Sequence, residues 1–369
     1  MRYKELMFVT LDDVCEKGSS NLAQKDILDL DGDFPIFGAA GYIGNANFYH
    51  QEKPYLAVVK DGAGVGRVML LPAKSSVIGT MQYIIPKEDI IVEYLYYAVK
   101  AMHLEKYYMG AAIPHIYFKD YKKEKLKLCS KIKQEQIVAR LDIIEKIINQ
   151  HKQQLNNLEK LTKARFIEVF GDAIHNPMEW PVKKLGELSS QINSGNTPKG
   201  GQQVYVDRGI TFFRSQNVWK NKLEMYDIAY IDEATHASMS RSSLKHGDIL
   251  MTKTGRINTE NSSLGRAALY MGKDDVANVN GHVYFIRLKP GINNKFILRI
   301  LISDEYRDYI RSVCVGGIDK RQLNKEHIED FPIICPPVNL IEKYIAFTEQ
   351  ADKSKLQVYQ NIVINHRVA

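Results

Sequence analysis

From Lys131 to Phe170 the chain contains no proline or glycine, and Ile137, Leu141, Ile144, Ile148, His151, Leu155, Leu158 and Thr162 recur at alternating steps of four and three. That period predicts one long amphipathic helix with a coiled-coil-like seam, interrupted at His151 and Thr162. At about 1.5 Å per residue, some forty residues make a rod of roughly 60 Å, too long to fold back into one small domain. Gly171 and the Asn176-Pro177 turn supply its stop. A second segment of this kind is predicted to start after Pro336-Pro337, where Asn339 and Glu342 have capping-box spacing, and to run to the C-terminus.

A shift of 207 residues superposes the two segments and pairs Glu135 with Glu342, Ala139 with Ala346, Lys146 with Lys353 and Gln153 with Gln360, all identical. The same shift pairs Gly110 with Gly317, Ile116 with Leu323, Tyr121 with Ile328 and Leu126 with Ile333, so the match continues upstream without a gap. Further back, the first half predicts a strand at Tyr55–Val59, a glycine loop over 61–67, a strand near 82–85, a helix over 92–106 and a last strand near Leu126. The second half predicts a strand over 248–252, a loop over 254–266, a strand over 282–288, a helix over 295–310, a turn at Gly316-Gly317 and a strand near 331–334. A repeat of about 200 residues is too long for a solenoid. The expected fold class is therefore α+β: two homologous mixed α/β domains joined by two long helices that pack antiparallel as a coiled-coil-like pair, with the domains at opposite ends.

At 369 residues with 45% apolar content, the chain can bury two or three cores of ordinary size. Lys plus Arg exceed Asp plus Glu by 50 to 43, which mildly favours a polyanionic partner. Residues 1–128 balance at 16 against 16, whereas 173–335 carry 22 against 18. Cys15, Cys129, Cys314 and Cys335 have no C-x-x-C spacing, so they read as reduced structural thiols, with neither a zinc site nor a disulfide framework. The first residues have no apolar core of signal-peptide length, and no run approaches a membrane span; a soluble, cytoplasmic protein with no membrane partner is expected.

Several strings, in this order, resemble the specificity subunits of type I restriction-modification systems over essentially the whole chain. Trp180-Pro181-Val182-Lys183-Lys184-Leu185-Gly186-Glu187-Leu188 and Ser194-Gly195-Asn196-Thr197-Pro198-Lys199 resemble that family's module opening, and Gly247-Asp248-Ile249-Leu250 precedes a basic glycine loop as it does there. Phe170-Gly171-Asp172 resembles the close of the family's central helix, and Leu11-Asp12-Asp13-Val14-Cys15 a degenerate copy of the module opening. The resemblance implies target-recognition domains at 1–129 and 173–335, each reading half of a bipartite DNA site, with spacer helices at 130–172 and 336–369. It further implies that the helices bind two modification (methyltransferase) subunits, that restriction (translocase/nuclease) subunits join indirectly, and that adenine methylation and cleavage belong to those chains. Two departures stand out. Glu16-Lys17-Gly18-Ser19-Ser20 replaces the Ser-Gly-x-Thr-Pro loop in the first module, and the second helix would need to reach about residue 378 to equal the first.

Arg and Lys recognise guanine edges, Asn and Gln adenine, and hydroxyls hold phosphates. On that chemistry the candidate DNA-binding residues in the second module are Asn196, Thr197, Lys199, Arg214, Gln216, Asn217, Lys253, Thr254, Arg256, Asn258 and Arg266. In the first module they are Lys60, Arg67, Gln82 and His115, the last in Ile113-Pro114-His115-Ile116, which resembles a Pro-His-Ile segment of the family.

Enzymatic motifs are incomplete. Gly62-Ala63-Gly64-Val65-Gly66 lacks dinucleotide-loop spacing, Asn176-Pro177-Met178-Glu179 only partly echoes an aminomethyltransferase motif, and Gly41-Tyr42-Ile43-Gly44 is half of a nuclease signature. No catalytic residue, metal ligand or cofactor is assigned. Against a non-catalytic sequence-specific DNA-binding subunit stand two alternatives: a protein-interaction scaffold, and the recognition subunit of a stand-alone methyltransferase without restriction.

Overall fold

The computed structural model describes residues 7–27, 31–62, 64–110, 114–257, 261–317 and 320–368. The chain divides into two compact units, residues 1–152 with 360–369, and residues 153–359.

In the first unit β1 (Met7–Thr10) leads through α1 (Leu11–Val14) into β2 (Cys15–Ser19). There follow β3 (Phe34–Gly38), β4 (Gly41–Ala46), β5 (Tyr55–Val59), β6 (Val68–Leu71), β7 (Ser76–Val77), β8 (Met81–Pro86), α2 (Val92–Lys100), α3 (Phe118–Tyr121), β9 (Lys125–Leu128) and the start of α4 (Lys131–Phe170). One sheet has the order β2-β8-β5-β6 and a smaller one β4-β3-β7. β5 is buried at every position because both its faces are covered. Leu56 and Val58 enter a core with Leu95, Val99 and Tyr121, while Tyr55, Ala57 and Val59 enter another with Ile36, Val77 and Tyr83. Strand alternation thus feeds two cores from one apolar run.

The second unit repeats this plan. β10 (Val182–Lys184), α5 (Leu185–Leu188) and β11 (Ser189–Ser194) open it, followed by β12 (Tyr205–Val206), β13 (Ile210–Phe213), a hairpin of β14 (Val218–Trp219) and β15 (Lys222–Leu223), β16 (Ala229–Ile231) and α6 (Glu233–Ser238). Next come β17 (Ile249–Thr252), β18 (Thr254–Gly255), β19 (Ala267–Leu269), β20 (Ala277–Val279), β21 (Val283–Leu288), α7 (Asn294–Leu301) and α8 (Asp304–Val313). β22 (Val315–Gly316), β23 (Arg321–Gln322), α9 (Lys325–Glu329), β24 (Pro332–Ile334) and α10 (Val338–Val368) close the chain. The order β11-β21-β17-β19 reproduces β2-β8-β5-β6, and β16-β13-β20 reproduces β4-β3-β7. In both smaller sheets the last pair is parallel. On β17, Ile249 and Met251 face a core with Phe296, Ile300 and Tyr306, whereas Leu250 faces Phe213, Ala268 and Phe285. Lys131 and Val338, the first residues of α4 and α10, stand at the 207-residue shift of the sequence repeat.

Two predicted helices are broken. The one expected over 92–106 ends with α2 at Lys100, because His103 takes a left-handed backbone (φ 52°) before a short 3-10 turn. The one expected over 295–310 divides into α7 and α8, because the Ser303 hydroxyl accepts from the Tyr306 amide at 3.1 Å and caps a new helix. Apolar period alone runs through both breaks.

On α4 the seam residues Ile148, Thr162, Phe166 and Phe170 are buried and the other seam positions half-buried. Within the first unit its beginning is fixed by Gln134, fully buried, whose side chain accepts from the Ile91 amide and donates to the Asp89 and Cys129 carbonyls, each at 2.9 Å. Within the second unit α4 and α10 run antiparallel. The Tyr344 hydroxyl donates to the Thr162 carbonyl at 3.3 Å, and Glu159, earlier on α4, lines a cleft of about 500 Å³ with Asp352 and Tyr359, later on α10. Phe166 and Phe170 meet Phe296 and Tyr344 at ring separations of 5.1–6.0 Å. Gly171 then stops the helix with φ 74°, where a Cβ would sit 2.9 Å from Pro177.

Phe170→Ala is expected to lower stability by about 3–5 kcal/mol through the cavity it opens; urea unfolding of the full chain measures this, and a loss under about 1 kcal/mol would disprove the aromatic anchor.

Candidate nucleic-acid interface

At the end of the central strand each unit builds the same turn from backbone hydrogen bonds. In the first, Gly66 N donates to Val59 O (2.8 Å) and Val59 N to Arg67 O (2.9 Å); in the second, Gly265 N donates to Thr252 O (3.1 Å) and Thr252 N to Arg266 O (2.9 Å). Arg67 and Arg266 are therefore structural equivalents. So are Lys60 and Lys253, whose carbonyls accept from Ile116 and Leu323 at 2.9 Å. Gly66 has φ 86° and no room for a side chain, since a Cβ would lie 2.4 Å from the Glu105 amide nitrogen.

Lys60 is half-buried, and Arg67 is exposed with one guanidinium nitrogen donating to the Ala39 carbonyl at 2.9 Å. The Gln82 amide donates to the Gly18 carbonyl across the sheet. His115 stands 3.4 Å from the Asp61 carboxylate and edge-on to Tyr117 at 4.0 Å. In the second unit Thr197, Lys199 and Arg256 are exposed, and Thr254 is half-buried in β18. Asn196 accepts from Arg241 at 3.0 Å, and the preceding Gly195 admits no Cβ, which would fall 1.9 Å from the Val279 carbonyl oxygen. The Lys253 ammonium lies 5.6 Å from the centre of the Tyr284 ring. Asn258 lies outside the described residues.

Two of the expected surface residues, Asn217 and Arg214, turn inward, while their neighbour Gln216 stays exposed. Asn217 is fully buried, its amide donating to the Glu224 carbonyl at 3.1 Å while its oxygen accepts from the Arg214 amide at 2.9 Å. The mostly buried Arg214 guanidinium pairs with Asp227 at 3.1 Å, and Gln216 donates to the same carboxylate at 3.1 Å. Their side chains bracket the segment that follows the hairpin, and for Asn217 no atom is left to meet a ligand. Arg266 is likewise engaged: it stacks on Trp219 at 3.8 Å and donates to the Ser262 carbonyl at 3.0 Å and to that of Asn261. It braces the glycine loop against the hairpin.

The hairpin is tied down at its other side. Asp304, at the start of α8, accepts from Lys163 of α4 at 2.8 Å and from Lys220 at 3.0 Å. The Lys163 ammonium, more than Lys220, holds the Asp304 carboxyl down at about 2, against partial burial. The Gly247-Asp248 motif has a comparable structural reason: Gly247 takes φ 86°, and the buried Asp248 carboxylate receives two bonds from Arg287 at 2.7 and 2.9 Å. Sequence inspection did not single out Trp219, or Gln322, which occupies in β23 the place of His115. Trp219's signal was an aromatic beside Lys220 and Lys222; Gln322's was the 207-residue shift itself, which pairs it with His115.

Among the described residues no three His, Cys, Asp or Glu side chains cluster so as to hold a metal, and no helix is long and apolar enough to cross a membrane.

Two α/β units sharing one sheet order, each followed by a long helix, define the class of fold to which type I specificity subunits belong. The family model for the type I restriction modification DNA specificity domain matches residues 3–160. The chain is 23% identical over 306 residues to the type I restriction enzyme MjaIX specificity subunit of Methanocaldococcus jannaschii, covering 77% of this chain and 68% of that protein. A putative type I restriction enzyme MjaX specificity subunit from the same organism is 21% identical over 163 residues, 44% of this chain and 37% of its own length. In fold, the chain is similar to the S subunit of a type I restriction-modification system from M. genitalium, with a TM-score of 0.57 at 14% identity, over 100% of this chain and 95% of the other. A further structure, described in connection with complex assembly and conformational transition of a type I system, has a TM-score of 0.52 at 14% identity, over 100% and 96%. The chain is thus similar to the type I restriction-modification specificity subunits, and residues 3–160 match the model of their DNA specificity domain.

Arg266→Ala is expected to cost about 1 kcal/mol through the lost stack and to change the emission of Trp219, one of two tryptophans; unchanged fluorescence would disprove the brace. Because the folded carboxyl of Asp304 lies below its ordinary 3.8, its contribution is complete above about pH 4 and disappears as pH falls toward 2. Acid unfolding of Asp304→Asn should accordingly be flatter than wild type in that window and parallel to it above.

Proposed function

We propose that this chain is the sequence-specific DNA-binding subunit of a type I restriction-modification complex, each module reading one half of a bipartite target. The observation that carries this reading is the repeated framework: two glycine turns with the same backbone hydrogen bonding, each headed by a lysine and closed by an arginine, yet enclosing loops of unlike length and sequence. A common scaffold with unlike loops is what two different half-sites demand. Lys60, Lys253, Thr197, Lys199 and Arg256 are the side chains best placed by exposure or position to meet DNA, with ammonium, guanidinium and hydroxyl groups suited to phosphates. Two methyltransferase subunits dock through α4 and α10, restriction subunits join through them, and methylation of adenine and cleavage occur in those chains.

The test is exchange of residues 173–335 for the equivalent module of a relative, followed by selection of bound duplexes from a random library by the complex reconstituted with a methyltransferase chain. One half of the selected target should change and the other persist, with affinity falling steeply as salt rises. Retention of both halves, or no preference at any salt, refutes the assignment.

A further inference from the structure

The two units can be compared position by position, because their backbone hydrogen bonds define the same frame without reference to side chains. Within that frame some places carry the same residue twice: Lys60 and Lys253, Gly66 and Gly265, Arg67 and Arg266. Ser19 and Ser194 also correspond, since they pair across the sheet with Gln82 and Tyr284, which follow by two residues the equivalent carbonyls of Thr80 and His282. At one central place the residues differ. His115 bridges Asp61 on one side and Met109 on the other; Gln322 pairs with Thr254 on one side and Val315 on the other. Each is followed by a buried aliphatic residue, Ile116 or Leu323, so that one residue is sunk in the core and its neighbour faces away, half-exposed.

We infer that Gln322 is a base-reading residue of the second module and that His115 holds the corresponding post in the first. This inference rests on the function proposed above. Sharing sorts the roles: a phosphate backbone is the same under both modules, so the repeated lysines suit it, whereas bases differ and need unlike readers. Rigidity supports it too, because Gln322 sits on β23, the middle strand of the ribbon β18-β23-β22, and His115 is held by isolated bridges on both sides. The ribbon is tightly built, since a Cβ on Gly255 would lie 2.3 Å from the Leu264 amide nitrogen and one on Gly316 2.5 Å from the Lys320 carbonyl oxygen. The remaining valences fit. One N–H of Gln322 donates to Asn324 Oδ1 at 2.9 Å, which leaves Oε1 and the second N–H, the acceptor and donor that match the N6 and N7 edge of adenine. His115 Nδ1 faces Asp61, which leaves Nε2.

The experiment uses the full chain reconstituted with a methyltransferase chain and a randomised duplex library. Gln322→Ala is expected to lose discrimination by about 5- to 150-fold at a position within one half-site and to leave the other half unchanged; His115→Ala should do the reverse. Gln322→Glu keeps the size of the side chain but replaces its donor, and should select a base other than adenine at that position. Lys253→Ala should instead weaken every duplex alike and reduce the salt slope by about one. Thermal unfolding shows whether each variant is folded. Should Gln322→Ala and Gln322→Glu both leave the profile unchanged, or weaken all duplexes by one factor while wild type keeps its bipartite preference, Gln322 is not a reader and the function stands. A wild-type complex without preference removes the function and this inference together.

Discussion

Five consecutive buried residues from Tyr55 to Val59, and their counterparts from Ile249 to Thr252, oblige each unit to cover a strand on both faces. A strand so placed cannot lie at the edge of a sheet or under a single layer. One face takes helices, drawn from α2 or from α7 and α8; the other takes the smaller sheet with its parallel pair. The glycine turn appears where the doubly covered strand leaves both cores, and its lysine stands at the boundary between apolar interior and solvent. The positions of Lys60 and Arg67, and of Lys253 and Arg266, descend from this requirement.

The long helices obey a second constraint of the same kind. A forty-residue helix with one apolar stripe must bury it in more than one place. Gln134 spends a buried amide to fix one end of α4, and Phe166 and Phe170 spend two aromatic rings on the other. Polar and apolar anchoring thus serve the same purpose at the two ends of one helix.

Much of this was legible in advance because it depends on local pattern. The seam of α4, its stop at Gly171, the start of α10 and the central strands are statements about period, glycine and proline, and they hold. The breaks at His103 and Ser303 were not legible, since one is a backbone state and the other a capping hydroxyl hidden within an unbroken apolar period. Nor was the inward turn of Asn217 and Arg214, whose partners, Glu224 and Asp227, are ordinary surface residues until the loop closes on them. Arg266 shows the limit most clearly. Its chemistry suits a guanine edge equally well, and its stack on Trp219 and its bonds to the Ser262 and Asn261 carbonyls are visible only in the folded chain.

The outermost strands of each unit carry a consequence of another sort. β1 pairs with β9 through Met7 and Leu128, and β10 pairs with β24 through Val182 and Ile334. The backbone therefore arrives at a module and departs from it on adjacent strands, about 5 Å apart. Topologically the second module is an insertion between α4 and α10, held by two neighbouring threads. Such a body can be cut out, replaced or joined end to end as a circular permutant with little adjustment of the helices, so genetic recombination has two natural seams at which to assemble new pairs of modules.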